Sequence, residues 1–86
     1  MTRTLALELA PHAITVNGIS PGLFATEMNA VLIETPEIYN DLTSRIPLGR
    51  WGNPKEIGEL AVYLCSPEAS FITGTDILID GGWCAQ

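Results

Sequence analysis

The chain has 86 residues, 47% hydrophobic and 16% charged, with ten acids against four bases for a net charge of −6. That length allows one small domain or part of a larger one, and the composition excludes disorder, which needs low hydrophobicity and high charge. The four bases, Arg3, Arg45, Arg50 and Lys55, form no stripe able to neutralise a phosphate backbone, so no nucleic acid partner is expected.

Residues 2 to 10, TRTLALELA, are strong helix formers, and Pro11 cannot continue the hydrogen-bond ladder, so a helix is expected over residues 1–10. Leu5 and Leu9 share one side of it, while Leu7 lies about 200° from Leu5, so the helix needs partners on two sides. Met1 is no cap and no acidic first turn precedes the apolar positions, so the helix reads as cut rather than begun. Residues 13–20 carry β-branched Ile14, Thr15, Val16 and Ile19 and no charge, the pattern of a buried parallel strand. Pro21-Gly22 then turns the chain sharply. Thr26 can cap a helix through Met28, Val31 and Leu32, and Thr35-Pro36 can open a second, in which Ile38, Leu42 and Ile46 recur every four residues. Two short helices end to end, over residues 26–46, suggest a lid.

Asn53-Pro54-Lys55-Glu56 combines an N-cap, a proline at the first helical position and the glutamate of a capping box. Ile57, Leu60, Ala61 and Leu64 follow at helical spacing, which predicts a helix over 53–65. Ser66-Pro67 ends it, Thr73-Gly74 makes a turn, and TDILI at 75–79 reads as a second strand before Asp80-Gly81-Gly82. Helix, strand, helical excursion, helix, strand is a βαβ crossover with a long insertion, which sets both strands parallel in one sheet. The fold class is therefore α/β, with residues 1–86 forming a single partial domain.

The longest uncharged run, Leu9 to Thr26, is interrupted by Pro11, His12, Asn17, Ser20, Pro21 and Gly22, so no membrane span is expected. No signal-peptide pattern opens the chain, and a cytoplasmic location is expected. Cys65 and Cys84 lack a CxxC-type cluster, which leaves no metal site, and Cys65 reads as a small core residue. His12 sits beside Pro11 with no acid and nucleophile nearby, the setting of a solvated turn histidine. Trp51 and Trp83 flank glycines and suit packing better than ligand stacking, and Glu27, Glu34, Glu37 and Asp41 read as a solvated face.

In open α/β sheets, ligands sit beyond the carboxyl ends of the strands, which is where SPGLFAT falls. Pro21 fixes the turn, Gly22 admits close approach of a ligand, and Thr26 opens a helix whose free N–H groups favour a phosphate or a carboxamide. An ordinary threonine-capped turn is the competing reading. The segments TLALELAPHAITVNGISPGLFATEM and IPLGRWGNPKEIGELAVYLCSPEASFITGTDILIDGG, in that order, closely resemble the C-terminal portion of the classical short-chain dehydrogenase/reductases. The resemblance covers essentially the whole chain and leans toward the gluconate 5-dehydrogenase and 3-oxoacyl-carrier-protein reductase group, with IPLGRWGNPKEI its most telling phrase.

The resemblance implies a doubly wound parallel (Rossmann-like) sheet and, in the full-length parent, hydride transfer between NAD or NADP and a secondary alcohol or ketone. It implies that Pro21 and Gly22 shape the cofactor loop, that backbone at Phe24 holds the nicotinamide carboxamide, and that Thr26 bonds the cofactor's amide or pyrophosphate. Phe24 stands where the family usually has isoleucine or valine. The segment Glu27 to Ile46 corresponds to the family's mobile lid, and Asp80-Gly81-Gly82 to a structural motif at a strand end.

No glycine-rich dinucleotide turn can be assembled from the eight glycines. The family's catalytic tyrosine and lysine are expected upstream of Met1, since Tyr39 falls in the lid and Tyr63 has no lysine four residues on. No catalytic residue is therefore expected here, the chain alone is expected to be inactive, and it is expected to bind no cofactor on its own. The alternative is a non-catalytic self-association or interaction module derived from that fold. The strand at 13–20 would lie bare along one edge, with neither lysine nor proline interrupting it, which predicts an obligate homo-oligomer. A two-fold dimer through that strand, the first helix or an exchanged segment is the expected form.

Overall fold

The computed structural model describes all residues from Met1 to Gln86. Its regular elements are α1 (Thr2–Leu9), β1 (Gly18–Pro21), α2 (Ala30–Glu34), α3 (Pro36–Ser44), α4 (Pro54–Leu64) and β2 (Asp76–Ile79). β1 and β2 pair in parallel, from Gly18 with Asp76 to Pro21 with Ile79, and make the only sheet. The architecture is thus α/β, with the expected crossover through the lid and α4.

α4 forms for the reasons its sequence announces. Asn53 Oδ1 accepts from Lys55 N–H at 2.9 Å, and Glu56 Oε1 accepts from Asn53 N–H at 2.9 Å, so free donors at the helix start are satisfied reciprocally. The threonine caps expected at Thr26 and Thr35 are different. Both residues are extended and precede helical turns, but neither side chain makes a capping bond. The Thr35 hydroxyl instead donates back to Val31 O at 2.9 Å, closing the end of α2. Thr26 leads into a single 3-10 turn, Glu27–Asn29, before α2.

Two boundaries differ from those expected. Pro11 ends α1 but not the coiling, because a proline in a first turn needs no N–H there. A 3-10 turn, Ala10–His12, follows and closes on Ala13 in the left-handed region at φ 58°. The first strand covers Gly18–Pro21, not 13–20, since β2 offers strand partners only from Asp76 onward. Upstream of Gly18 the chain instead bonds to the turn before β2. Val16 N–H donates to Thr73 Oγ1 at 3.0 Å, and Gly74 N–H to Val16 O at 2.8 Å. The strand therefore does contain a proline, Pro21, at its end.

Burial is uneven. The buried large residues, Phe24, Ile46 and Trp51, all lie on the lid side, whereas only two small residues, Ala6 and Ala69, are buried elsewhere. The chain exposes 6259 Å², against roughly 5,000 Å² for a compact monomer of this mass. Its radius of gyration is 15.8 Å, against about 12 Å for a compact domain of this length. One dimension of 50 Å beside two of 24 and 20 Å accounts for the difference.

Candidate functional site

The site candidate is the loop that leaves β1 beside the end of β2. Gly22 N–H donates to Ile79 O at 3.1 Å, which carries the parallel pairing one residue past the strand. A Cβ on Gly22 would stand 2.7 Å from Asp80 Cβ and 2.9 Å from Asp80 Cα. The missing side chain thus admits the chain's own second strand, a close approach that the sequence alone assigns to a ligand.

Past Gly22 the loop is tied to the segment before α4. Gly52 N–H donates to Leu23 O and Ala25 N–H to Gly52 O, each at 2.9 Å, an isolated parallel bridge between Phe24 and Gly52. The Phe24 ring covers Gly52 so closely that a Cβ there would lie 2.3 Å from it. Phe24 O accepts from Asn29 Nδ2 at 2.7 Å and from Thr26 N–H at 2.9 Å, so that carbonyl is doubly engaged. Two kinds of group stay free: the N–H groups of Leu23 and Phe24 and the hydroxyl of Thr26 have no partner within the chain. Since buried backbone donors are almost always paired, an unpaired N–H on buried Phe24 is the feature that fits an added acceptor. Leu23 and Phe24, with Ile79, Asp80 and Gly82, line a cleft of about 260 Å³.

Around this loop the framework is cross-linked by side chains. Trp51 is buried, stacks on Tyr39 with ring centroids 5.7 Å apart, and donates its indole N–H to Thr43 Oγ1 at 2.9 Å, which joins α3 to the loop before α4. Arg50 meets Glu56 through both terminal nitrogens of its guanidinium, at 2.9 and 3.2 Å. The Arg50 hydrogen bond and then the Asn53 N–H hold the Glu56 carboxyl down at about 2. At the end of β2, Asp80 accepts from Gly82 N–H and Cys84 N–H, each at 3.0 Å, and the Cys84 contact comes first in lowering its pKa. A side-chain hydrogen bond from the Cys84 thiol to the Asp80 carboxylate in turn raises the thiol's pKa. Asp80 thus ties down the Gly81-Gly82 turn, a structural task. Asn29, Arg50 and Asp80 are the residues that fix this site, and of these the sequence singles out only Asp80; an asparagine three residues after a threonine cap is the available signal for Asn29.

The remaining candidates lie apart from the loop or are occupied. Tyr39 is held by Trp51. Tyr63 is exposed at the far end of α4 from Lys55, about 12 Å of helix rise away. His12 is exposed on the turn after α1, and Cys65, expected in the core, is exposed together with Cys84. No group of His, Cys, Asp or Glu side chains is placed to hold a metal ion, and no helix is long and apolar enough to cross a membrane.

Comparison with known proteins agrees with this geometry. A family profile described as enoyl-(acyl carrier protein) reductase matches residues 1–84. The 3-oxoacyl-(acyl-carrier-protein) reductase of Aquifex aeolicus (strain VF5) is 47% identical over 81 residues, covering 94% of this chain and 32% of that protein. The 5-keto-D-gluconate 5-reductase of Escherichia coli (strain K12) is 44% identical over 82 residues, covering 95% of this chain and 32% of that protein. The solved structure of 4-hydroxyisoleucine dehydrogenase complexed with NADH superposes with a TM-score of 0.95 at 38% identity, over 99% of this chain and 35% of that one. The chain spans about a third of the length of the curated relatives it matches. With profile, sequence relatives and superposition all covering nearly every residue, the chain belongs to the short-chain dehydrogenase/reductase family, as a C-terminal part of that Rossmann-like fold.

Proposed function

We propose that this chain supplies the nicotinamide-end loop and the substrate lid of an NAD(P)-dependent oxidoreductase that interconverts a secondary alcohol and a ketone. The observation that carries the reading is the loop after β1, where Phe24, which lines a cleft at the carboxyl ends of both strands, has an unpaired N–H and Thr26, two residues on, a free hydroxyl. These groups would hold the carboxamide of a nicotinamide, the N–H donating to its oxygen and the hydroxyl bonding the amide. When bound, the nicotinamide supplies or accepts the hydride. The Phe24–Gly52 bridge and the Asn29 bond keep the loop backbone in place, so orientation is set before any ligand arrives. In this reading α3, whose Leu42 lines a pocket with Pro21, Gly22 and Leu23, and α2 beside it would serve as a cover that excludes water.

The chain itself lacks the means to complete the reaction. It has no tyrosine and lysine placed as an acid–base pair, and no glycine-rich turn for a pyrophosphate. Exposed free thiols at Cys65 and Cys84 suit a reducing cytoplasm, the compartment this reading implies.

Steady-state assays of the 86-residue chain with NADH and NADPH, against ketones and sugar acids, are expected to show no turnover above buffer. Calorimetry at micromolar protein is expected to show no cofactor binding. The positive half is tested in a chimera in which this chain replaces the matched third of the Aquifex reductase. That chimera is expected to bind a nicotinamide cofactor and reduce a ketone, and Thr26→Ala within it to weaken cofactor binding about threefold to tenfold, the worth of one hydrogen bond. A folded chimera that binds neither NADH nor NADPH overturns the reading.

A further inference from the structure

The second of the two short lid helices, α3, is gripped by the rest of the chain. The Tyr39 ring stacks on buried Trp51, with 5.7 Å between centroids and 16° between planes, and the Thr43 hydroxyl accepts the indole N–H at 2.9 Å. Tyr39 and Thr43 are four residues apart and share one face of the helix, so a single tryptophan side chain holds a full turn of it. Just beyond α3, Gln86 Nε2 donates to Arg45 O at 3.0 Å and Leu48 N–H to Gly81 O at 3.1 Å. Ile46 packs so close to Gly81 that a Cβ there would lie 2.8 Å from its Cγ2. The segment before α2 is tied as well, by the bond from Asn29 Nδ2 to Phe24 O at 2.7 Å. All of these ties lie between Phe24 and Gln86, and they stand whatever else the chain is joined to.

Between the two fixed points the chain is built to bend. Pro36 has no N–H, so the hydrogen-bond ladder of α2 cannot run on into α3, and proline pushes the residue before it out of the helical region. Thr35 is accordingly the one residue between the helices, extended at φ −101° and ψ 99°. Its hydroxyl donates to Val31 O on one side and its carbonyl accepts from Tyr39 N–H on the other, each at 2.9 Å. Rotation about the Thr35 Cα–C bond carries the hydroxyl with α2 and the carbonyl with α3, so it breaks neither bond. At the other end Asn29, at φ −99° and ψ 6°, joins α2 to the 3-10 turn before it. The five residues Ala30–Glu34 are thus set between two joints, each beside a fixed point.

We propose, on the reading of the loop as a nicotinamide site, that Tyr39 and Thr43 are positioning residues that dock α3 on Trp51 as the fixed half of the lid. Closure over a bound ketone is then a rocking of Ala30–Thr35 alone. This divides the segment Glu27 to Ile46, which by resemblance is mobile throughout. With both ends held, α2 turns about the line between Asn29 and Thr35 and does not swing away as a flap. The turn changes which of Val31, Leu32 and Ile33 is presented to the loop. Only one short helix is immobilised on closure, which keeps the entropic cost of covering the substrate low.

Amide hydrogen exchange of the wild-type chain is expected to show Asp41 and Leu42 of α3 protected at least about tenfold more than Ile33 and Glu34 of α2. Tyr39→Ala is expected to remove most of that difference, although alanine is the better helix former, and Tyr39→Phe, which keeps the stack, to retain it. Thr43→Val, which removes the acceptor of the indole, is expected to remove part of it, and gives the decision where Tyr39→Ala does not fold. Unchanged protection at Asp41 and Leu42 in these variants overturns the proposal. In the chimera with the Aquifex reductase, Tyr39→Ala is expected to raise KM for the ketone about twofold to tenfold, the worth of one aromatic pair. The dissociation constant of the cofactor is expected to stay unchanged, and Tyr39→Phe to keep the wild-type KM. A cofactor constant that moves in step with KM overturns the proposal too, because Tyr39 would then act on the loop and not on the lid. A wild-type chimera that binds no cofactor refutes the nicotinamide reading; the exchange measurement needs no cofactor and still decides whether α3 is docked.

Discussion

On the lid side, Phe24, Ile46 and Trp51 are 4%, 3% and 7% exposed; on the sheet side, Leu5, Leu7 and Leu78 are 41%, 76% and 58% exposed. Both regions are rich in large apolar residues, so composition does not explain the contrast. Sequence distance does. Most of the contacts that bury Phe24 and Trp51 lie within the stretch from Phe24 to Glu56: the Phe24–Gly52 bridge, the Tyr39–Trp51 stack, the Thr43–Trp51 bond and the Arg50–Glu56 pair, while Ile46 packs toward Gly81 at the end of β2. A parallel sheet is built from strands far apart in sequence, and two strands leave both edges of the sheet open. A segment of an α/β fold can therefore carry a finished loop-and-lid unit on an unfinished sheet, and the candidate cofactor loop belongs to the finished part.

The contrast breaks most severely if the lid cluster is emptied. Trp51→Ala removes a buried ring, its stack on Tyr39 and its bond to Thr43, and is expected to cost about 3–5 kcal/mol, read as a lower urea midpoint and a lost near-ultraviolet dichroism band. Gly52→Ala forces a Cβ to within 2.3 Å of the Phe24 ring and is expected to cost about 1–3 kcal/mol in the same titration. Asn53→Ala removes half of the capping box and is expected to cost about 1 kcal/mol. Gly58→Ala sharpens the comparison from the other side. Nothing lies within 4 Å of a Cβ at that point of α4, so thermal unfolding is expected to show a gain of about 0.5–1 kcal/mol from the better helix former.

The smallest effect is one of pH. The folded Glu56 carboxyl sits at about 2, against an ordinary value of 4.5, because Arg50 and then the Asn53 N–H bond its charged form. A folded pKa below the unfolded one means that its stabilisation is complete above 4.5 and is lost as pH falls toward 2. Melting temperatures measured across that window are expected to fall more steeply for the wild-type chain than for Glu56→Gln. The pair is solvent-exposed, so the difference is small.

What is legible in the sequence is mostly local. The α4 start is spelled out by Asn53, Pro54 and Glu56, and the second strand by the apolar run before Asp80, because each rests on residues within one turn or one strand. Ile14, Thr15 and Val16 pass for strand because β-branching fits an extended backbone whether or not a partner strand lies beside it. Gly22 reads as room for a ligand, since the residue that occupies that room, Asp80, is far away in sequence. Phe24 falls on the cofactor loop by resemblance, but nothing local shows that its ring covers Gly52 and closes the lid cluster. The free Phe24 N–H and Thr26 hydroxyl emerge only once every other bond of the loop has been assigned.

The independence of the two regions is tested most directly by native-state amide hydrogen exchange of the chain in rising, sub-denaturing urea. Gly18 and Gly22, whose N–H groups bond across to the residues flanking and ending β2, are expected to lose protection. Ala25 and Gly52, bonded within the loop-and-lid unit, are expected to keep theirs. Protection lost from all four amides to the same extent would show one cooperative unit, and would contradict a finished lid standing on an unfinished sheet.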